Sequence, residues 1–79
     1  MREEVLSKLI EKTAKLAGVD PSTLSENTNI KTEVNLKSLE LVGIISELEE
    51  EYDCYIKYNE IMHADTIGED ANIIAEMIE

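Results

Sequence analysis

Ser38-Leu39-Glu40-Leu41-Val42-Gly43-Ile44-Ile45-Ser46-Glu47-Leu48-Glu49-Glu50-Glu51-Tyr52 is the stretch whose reading decides the fold class. Leu41, Ile45, Leu48 and Tyr52 recur at intervals of four, three and four, with Val42 and Leu39 beside them. Apolar residues at that spacing lie on one stripe of an amphipathic helix that needs a partner to cover it. Gly43 interrupts the helix at a cost of about 1 kcal/mol relative to alanine, either because something approaches the backbone there or because a soft turn is tolerated. Glu49, Glu50 and Glu51 crowd the C-terminal end, where the helix dipole already places partial negative charge, and a locally unfavourable cluster of this kind suggests use by a partner.

Upstream, Ser25 to Leu36 is polar and without a sustained period, rich in Ser, Asn and Thr that bond their own backbone in preference to forming helix. It reads as a long loop, anchored on the core by Ile30, Val34 and Leu36. Asp20 before Pro21 reads as an N-cap followed by proline at the first helical position, so Pro21 to Leu24 forms a brief turn. Before that, Val5, Leu6, Leu9, Ile10, Thr13, Leu16 and Ala17 keep spacings of three and four, giving a first helix that stops at Gly18.

Downstream, Tyr55, Ile56 and Tyr58 form a connector, and Asn59 to His63 a short helix that gives Ile61 or Met62 to the core. Thr66 with Glu69 three residues on fits a capping box, and Ile67, Ala71, Ile74 and Ile78 follow on one face of a last helix. No alternating strand pattern and no internal repeat occurs. The expected fold is all-α: a small four-helix bundle of three main helices and one short one, with a long loop between the first two, forming a single domain over residues 1–79.

Composition narrows the function. With 18 acidic and 7 basic side chains among 79 residues, the net charge is -11. Such a field repels nucleic-acid phosphates and anionic lipid and attracts basic protein surfaces. The charge is uneven: residues 38 to 58 carry one basic and six acidic groups, and residues 59 to 79 six acidic and no basic ones. The single cysteine, Cys54, allows no internal disulfide, and with one histidine the chain offers no zinc-type ligand cluster. The N-terminus lacks the charge and apolar run of a secretion signal, and the longest apolar run, Leu41 to Ile45, is far short of the roughly 20 residues that span a bilayer. The expected setting is cytoplasmic, without membrane insertion.

No catalytic constellation is legible. His63 has no partner at a useful spacing, Cys54 is flanked by Asp53, which opposes thiolate formation, and the carboxylates Asp65, Glu69 and Asp70 lack the spacing of a calcium loop. Ser38 stands apart. It lies where a long loop enters an amphipathic helix, a place where unpaired N–H groups and the positive dipole end accommodate a phosphate. A serine there is most often only a cap.

The residues around Ser38 shift that balance. Glu33-Val34-Asn35-Leu36-Lys37-Ser38-Leu39-Glu40 resembles the acyl carrier protein segment Asp-Leu-Gly-x-Asp-Ser-Leu-Asp/Glu, whose serine is esterified to 4'-phosphopantetheine. Leu48-Glu49-Glu50-Glu51-Tyr52 is similar to that family's Leu-Glu-Glu-Glu-Phe ending of the second helix, and Asp65-Thr66-Ile67-Gly68-Glu69 to the start of its last helix. The resemblance runs over essentially the whole chain. It implies that Ser38 carries a long thiol-terminated arm on which acyl or aminoacyl groups ride, in fatty acid or polyketide biosynthesis, and that the protein itself catalyses nothing. It also implies a monomer that meets a phosphopantetheinyl transferase and acyl-processing enzymes through Glu40, Glu47, Glu49 and Glu50, and that shelters cargo among Val42, Ile45, Leu48, Ile61 and Ile67. Those five are equally expected as ordinary core. The alternative reading is an unmodified carrier-like module that binds a basic partner.

The chain departs from the family pattern at definite places. Lys37 stands where the family has aspartate before the serine, reversing a charge; the hypothesis that follows from the resemblance is that Lys37 pairs with the phosphodiester once it is formed. Asn35 replaces a glycine, Gly43 a glutamate of the docking helix, Lys57 a proline and Ala64 a pocket-lining isoleucine. These changes imply a specialised carrier with its own pathway.

Overall fold

The order of elements follows the capping and hydrophobic signals along the chain. The computed structural model describes residues 1–34 and 36–78, so the Asn35 substitution lies outside the described residues. Helix α1 spans Arg2–Ala17, α2 Ser38–Tyr52, α3 Tyr58–His63 and α4 Ile67–Ile78, with a 3-10 turn at Pro21–Thr23. Gly18 ends α1 in the left-handed region (φ 73°), its N–H bonded to the Ala14 carbonyl, a conformation that costs glycine nothing. Asp20 caps the 3-10 turn by accepting the Ser22 N–H at 2.8 Å, a bond that holds its carboxyl below the usual range. The capping box of α4 is reciprocal: Thr66 N–H donates to Glu69 Oε1 at 3.1 Å, and Glu69 N–H donates to Thr66 Oγ1 at 3.2 Å.

Val5 and Leu9 of α1, Ile44, Ile45 and Leu48 of α2, Ile56 and Ile61, and Ile67 and Ile74 of α4 meet in one core, each at most 1% exposed. At about 25 cal/mol per Å² of apolar surface removed from water, this cluster is the main favourable term of folding. Helix α1 packs most extensively on α4. On its other flank, Lys8 and Lys12 reach Glu51 of α2 at 2.9 and 3.0 Å, and the Lys8 ammonium lies 4.7 Å from the Tyr52 ring centroid. Two positions differ from the periodicity. Leu16 shares the α1 stripe yet is 47% exposed, because it belongs to the last turn, beside the Gly18 reversal, where nothing covers it. Leu39 is 79% exposed, and Ile44 takes a core position instead. At about 100° per residue, Leu39 lies some 160° from Leu41 whereas Ile44 lies about 60° away.

The long loop is held by backbone bonds to the start of α4. Ile30 N–H donates to Asp65 O at 2.9 Å, Ile67 N–H to Thr28 O at 3.1 Å and Gly68 N–H to Glu26 O at 2.9 Å. The Asn29–Thr66 pair forms an isolated antiparallel bridge within this contact. Asn29 Oδ1 also accepts the N–H groups of Lys31 and Thr32, the local self-bonding such residues favour. Ile30 and Val34 are buried and Leu36 half-buried, so all three anchors engage the core. Gly68 is where loop and helix come closest: a Cβ there would stand 2.8 Å from Glu26 O. Gly43, by contrast, faces open space with nothing within 4 Å of a Cβ.

Candidate functional site

Three elements converge at the entrance of α2. Lys37, in extended conformation, is its N-cap, and the Lys37 carbonyl accepts the N–H groups of Glu40 and Leu41 at 3.0 and 3.1 Å. The Glu40 carboxylate returns to accept the Lys37 N–H at 3.0 Å. This is half of a capping box, since an ammonium has no lone pair with which to complete the other half. The N–H groups of Ser38 and Leu39 have no acceptor among the described residues, the usual condition of a first helical turn.

The Ser38 side chain is exposed, and its hydroxyl makes no hydrogen bond among the described residues. A nucleophilic oxygen thus stands exposed at the positive end of a 15-residue helix, with the exposed Lys37 next to it. These residues fit a phosphodiester: the first-turn N–H groups and the dipole end favour a bound anion, and Lys37 adds a positive charge.

Beside the serine opens a cleft of about 60 Å³. Ile30 and Lys31 of the loop, Leu36, Lys37, Ser38 and Leu41, then Ile61, Met62 and Ala64, and finally Asp70 of α4 line it. Of the five residues expected to shelter cargo, Ile61 lines this cleft. Ile45, Leu48 and Ile67 lie fully buried in the central core. Val42 is half-buried away from the cleft, its carbonyl accepting the Tyr58 hydroxyl at 2.6 Å.

Asp70 is legible in the sequence only as one more acid of the C-terminal half, and in the structure it is 1% exposed. Its Oδ1 has no hydrogen-bond partner among the described residues. Burial, and secondarily the neighbouring Glu69 charge, pushes the carboxyl up to about 7, with Lys31 opposing. The signal in the sequence is angular: Asp70 stands about 60° from Ile67 on the helix, the same offset by which Ile44 flanks Leu41 in α2.

The acidic face of α2 divides. Glu51, whose carboxyl is held below the usual range chiefly by its hydrogen bonds to Lys8 and Lys12, serves the α1–α2 packing. Glu49 accepts the Ile56 N–H at 2.8 Å and so fixes the chain after the helix. Crowding of acids there therefore answers to intramolecular partners as well. Glu47 is exposed, its carboxylate 3.7 Å from Lys12, and Glu50 is exposed without an ion-pair partner among the described residues. Glu40 is occupied by its own helix entrance.

The other reactive candidates stand apart from Ser38. His63 is exposed and donates through Nδ1 to the Asn59 carbonyl. Cys54 is half-buried, its thiol pushed up first by burial and then by Glu49 and Asp53, which leaves it a poor nucleophile. Among the described residues no helix is long and apolar enough to cross a membrane.

Comparison with known proteins agrees with this geometry. Residues 7–74 match the family model described as the phosphopantetheine attachment site. The chain is 35% identical to the acyl carrier protein of Rubrobacter xylanophilus over 95% of this chain and 93% of the relative, and 31% identical to that of Lactobacillus acidophilus over 91% and 90%. A solved structure of the acyl carrier protein from Enterococcus faecalis superposes with a TM-score of 0.78 at 25% identity, covering 98% of both chains. Acyl carrier proteins are carriers and not enzymes, and their attachment domain bears covalently bound 4'-phosphopantetheine. With its four-helix fold and a match over most of its length, the chain belongs to the acyl carrier protein family.

Proposed function

We propose that Ser38 is the attachment point of the 4'-phosphopantetheine arm, and that the protein works as a monomeric, single-domain carrier of acyl or aminoacyl groups in the cytoplasm. The observation that carries this reading is the exposed Ser38 hydroxyl at the positive end of α2. Once attached, the arm supplies a terminal thiol that holds an acyl group as a thioester. Attachment forms a phosphodiester at Ser38 Oγ and breaks the phosphoanhydride of coenzyme A. Adenosine bisphosphate leaves, and the hydroxyl proton passes to a base on the transferase. The N–H groups of Ser38 and Leu39 and the Lys37 ammonium offset the negative charge that then stands at the helix entrance.

Docking rests on the outward carboxylates of α2. Glu50 and Glu47 present charge to basic patches on the transferase and on acyl-processing enzymes, while Glu40 and Glu49 contribute through the oxygens left over from their internal bonds. Gly43, open to solvent, leaves the middle of that face without a carboxylate.

Incubation with coenzyme A and a broad-specificity phosphopantetheinyl transferase is expected to add the mass of one arm, and Ser38→Ala to abolish the gain. Glu47→Lys combined with Glu50→Lys lowers the transferase kcat/KM, and the loss shrinks at 1 M salt, where the Debye length falls to about 3 Å from about 10 Å at 0.1 M. No mass gain with several transferases rejects the reading. Salt-sensitive partner binding that survives Ser38→Ala would then leave an unmodified interaction module.

A further inference from the structure

The cleft beside Ser38 has apolar walls, supplied by Leu41, Ile61 and Met62 among others, and one acid, Asp70, which is 1% exposed and has an Oδ1 without a partner among the described residues. An apolar residue at position 70 would suit both the burial and an alkyl cargo better, because a buried acceptor left unpaired is costly. We propose that this cleft receives a short acyl cargo bearing a hydrogen-bond donor, a hydroxyl or an amine close to the carbonyl end, and that Asp70 is the acceptor that binds it. This deepens, and rests on, the assignment of Ser38 as the tether.

Size and charge set the class of cargo. A volume of about 60 Å³ has room for roughly two groups of water size at about 30 Å³ each. About two or three heavy atoms near the carbonyl end of a short cargo fit, and a long saturated chain does not without opening the bundle. The groups that bear on Asp70 are Glu69 on its own helix and Lys31 on the loop, with Lys37 also on the cleft wall. Lys31 is engaged by Asp65 at 3.2 Å, so its ammonium is not spent on Asp70. A hydroxyl or ammonium on the cargo would supply the bond that the protein leaves unmade, and a plain alkyl chain would bury that acceptor deeper without pairing it. Asp70 in this account is a binding and specificity-determining residue and takes part in no bond-breaking step.

The test loads the intact protein, Asp70→Asn and Asp70→Ala with butyryl, β-hydroxybutyryl and β-alanyl arms, each transferred from the corresponding acyl-coenzyme A. Thermal midpoints and the carbon-13 titration of the Asp70 carboxyl are then recorded. In the unsubstituted protein the two donor-bearing cargoes are expected to give higher midpoints than butyryl, and to lower the Asp70 titration midpoint by about one pH unit, a tenfold preference for the ionised form. In Asp70→Ala the order reverses in favour of butyryl. A larger effect of β-alanyl than of β-hydroxybutyryl identifies the amine as the donor, and the opposite order the hydroxyl. Equal midpoints for all three cargoes in the unsubstituted protein, with loading confirmed by mass, overturn the cleft proposal and leave the tether intact. Persistence of the donor preference in Asp70→Ala does the same. Failure of all three proteins to gain mass overturns the tether, and the cleft proposal with it. Should Asp70→Ala not fold, the Asp70 titration and the isosteric Asp70→Asn decide.

Discussion

Replacing Asp70 by asparagine keeps the side-chain volume and removes the ionisation, so it isolates what the buried carboxyl does to stability. The carboxyl titrates at about 7 in the folded protein against an ordinary value of 3.8. The folded state therefore holds a proton that the unfolded chain has released over the interval between these values. By linkage, stability falls as pH rises wherever the folded state binds more protons. The contribution of Asp70 is at its most favourable below about pH 3.8, is lost progressively up to about 7, and is constant above that. Near 3 pH units at 1.36 kcal/mol each, the full loss is about 4 kcal/mol. Asp70 stands in the first turn of α4, where the helix dipole favours the ionised carboxylate and trims that loss by about 0.3–1 kcal/mol. For 79 residues at roughly 0.05–0.15 kcal/mol each, total stability is about 4–12 kcal/mol, so this one group governs a large share of it.

Urea unfolding of both proteins at half-unit steps from pH 4.5 to 8.5 measures the effect. The other acidic groups act almost equally in the two proteins and cancel in the difference. The stability of the unsubstituted protein minus that of Asp70→Asn is expected to fall by up to about 1.4 kcal/mol per pH unit between pH 4.5 and 6.5 and to level off above 7.5. The m-values should agree, since the surface exposed on unfolding is the same. Parallel curves within about 0.5 kcal/mol, a typical spread for substitutions without a mechanism, would refute the reasoning. They would mean that solvent reaches Asp70 freely enough for it to ionise as it does in the unfolded chain.

Two glycines should respond in opposite senses. Gly68→Ala forces a Cβ to within 2.8 Å of Glu26 O and so pushes the loop off α4; a loss of about 1–3 kcal/mol in urea unfolding is expected. Gly43→Ala meets nothing within 4 Å and should stabilise the protein by about 1 kcal/mol through helix propensity alone, read as a higher urea midpoint at unchanged m-value.

The helices are legible in the sequence because their signals are local. The Thr66–Glu69 box, Gly18 and the four-three-four spacing of Leu41, Ile45, Leu48 and Tyr52 act within a few residues, and the bounds of the elements follow them. Long-range partners are not legible. Nothing near Glu51 in sequence announces Lys8 and Lys12, and nothing near Gly68 announces Glu26. Angular reading is misplaced in α2, where it puts Leu39 beside a stripe that in fact extends toward Ile44, and too long in α1, where it runs on to Leu16. Helical spacing fixes the direction a side chain faces and is silent on what lies opposite each turn. Ser38 stands out in the sequence as a candidate because its surroundings combine a helix entrance with a stretch that resembles the family's segment, whereas Asp70, across the cleft, belongs to another helix.

The pairing of Ser38 and Asp70 in one cleft gives the substitutions around the serine a common physical sense. Lys37 puts a cation where the family has an anion, and Lys31, Lys37 and Asp70 share the cleft wall. An acid on that wall is less costly beside cations than beside an aspartate at position 37, because each unit of nearby positive charge favours its ionised form. The small Ala64, on the same wall where the family places isoleucine, leaves room that a larger side chain would fill. A small cleft lined by two lysines and one acid is suited to a small polar group, and poorly suited to a growing hydrocarbon chain. If charge balance links these positions, Lys37→Asp should raise the Asp70 titration midpoint further, whereas an unchanged midpoint would separate the two substitutions.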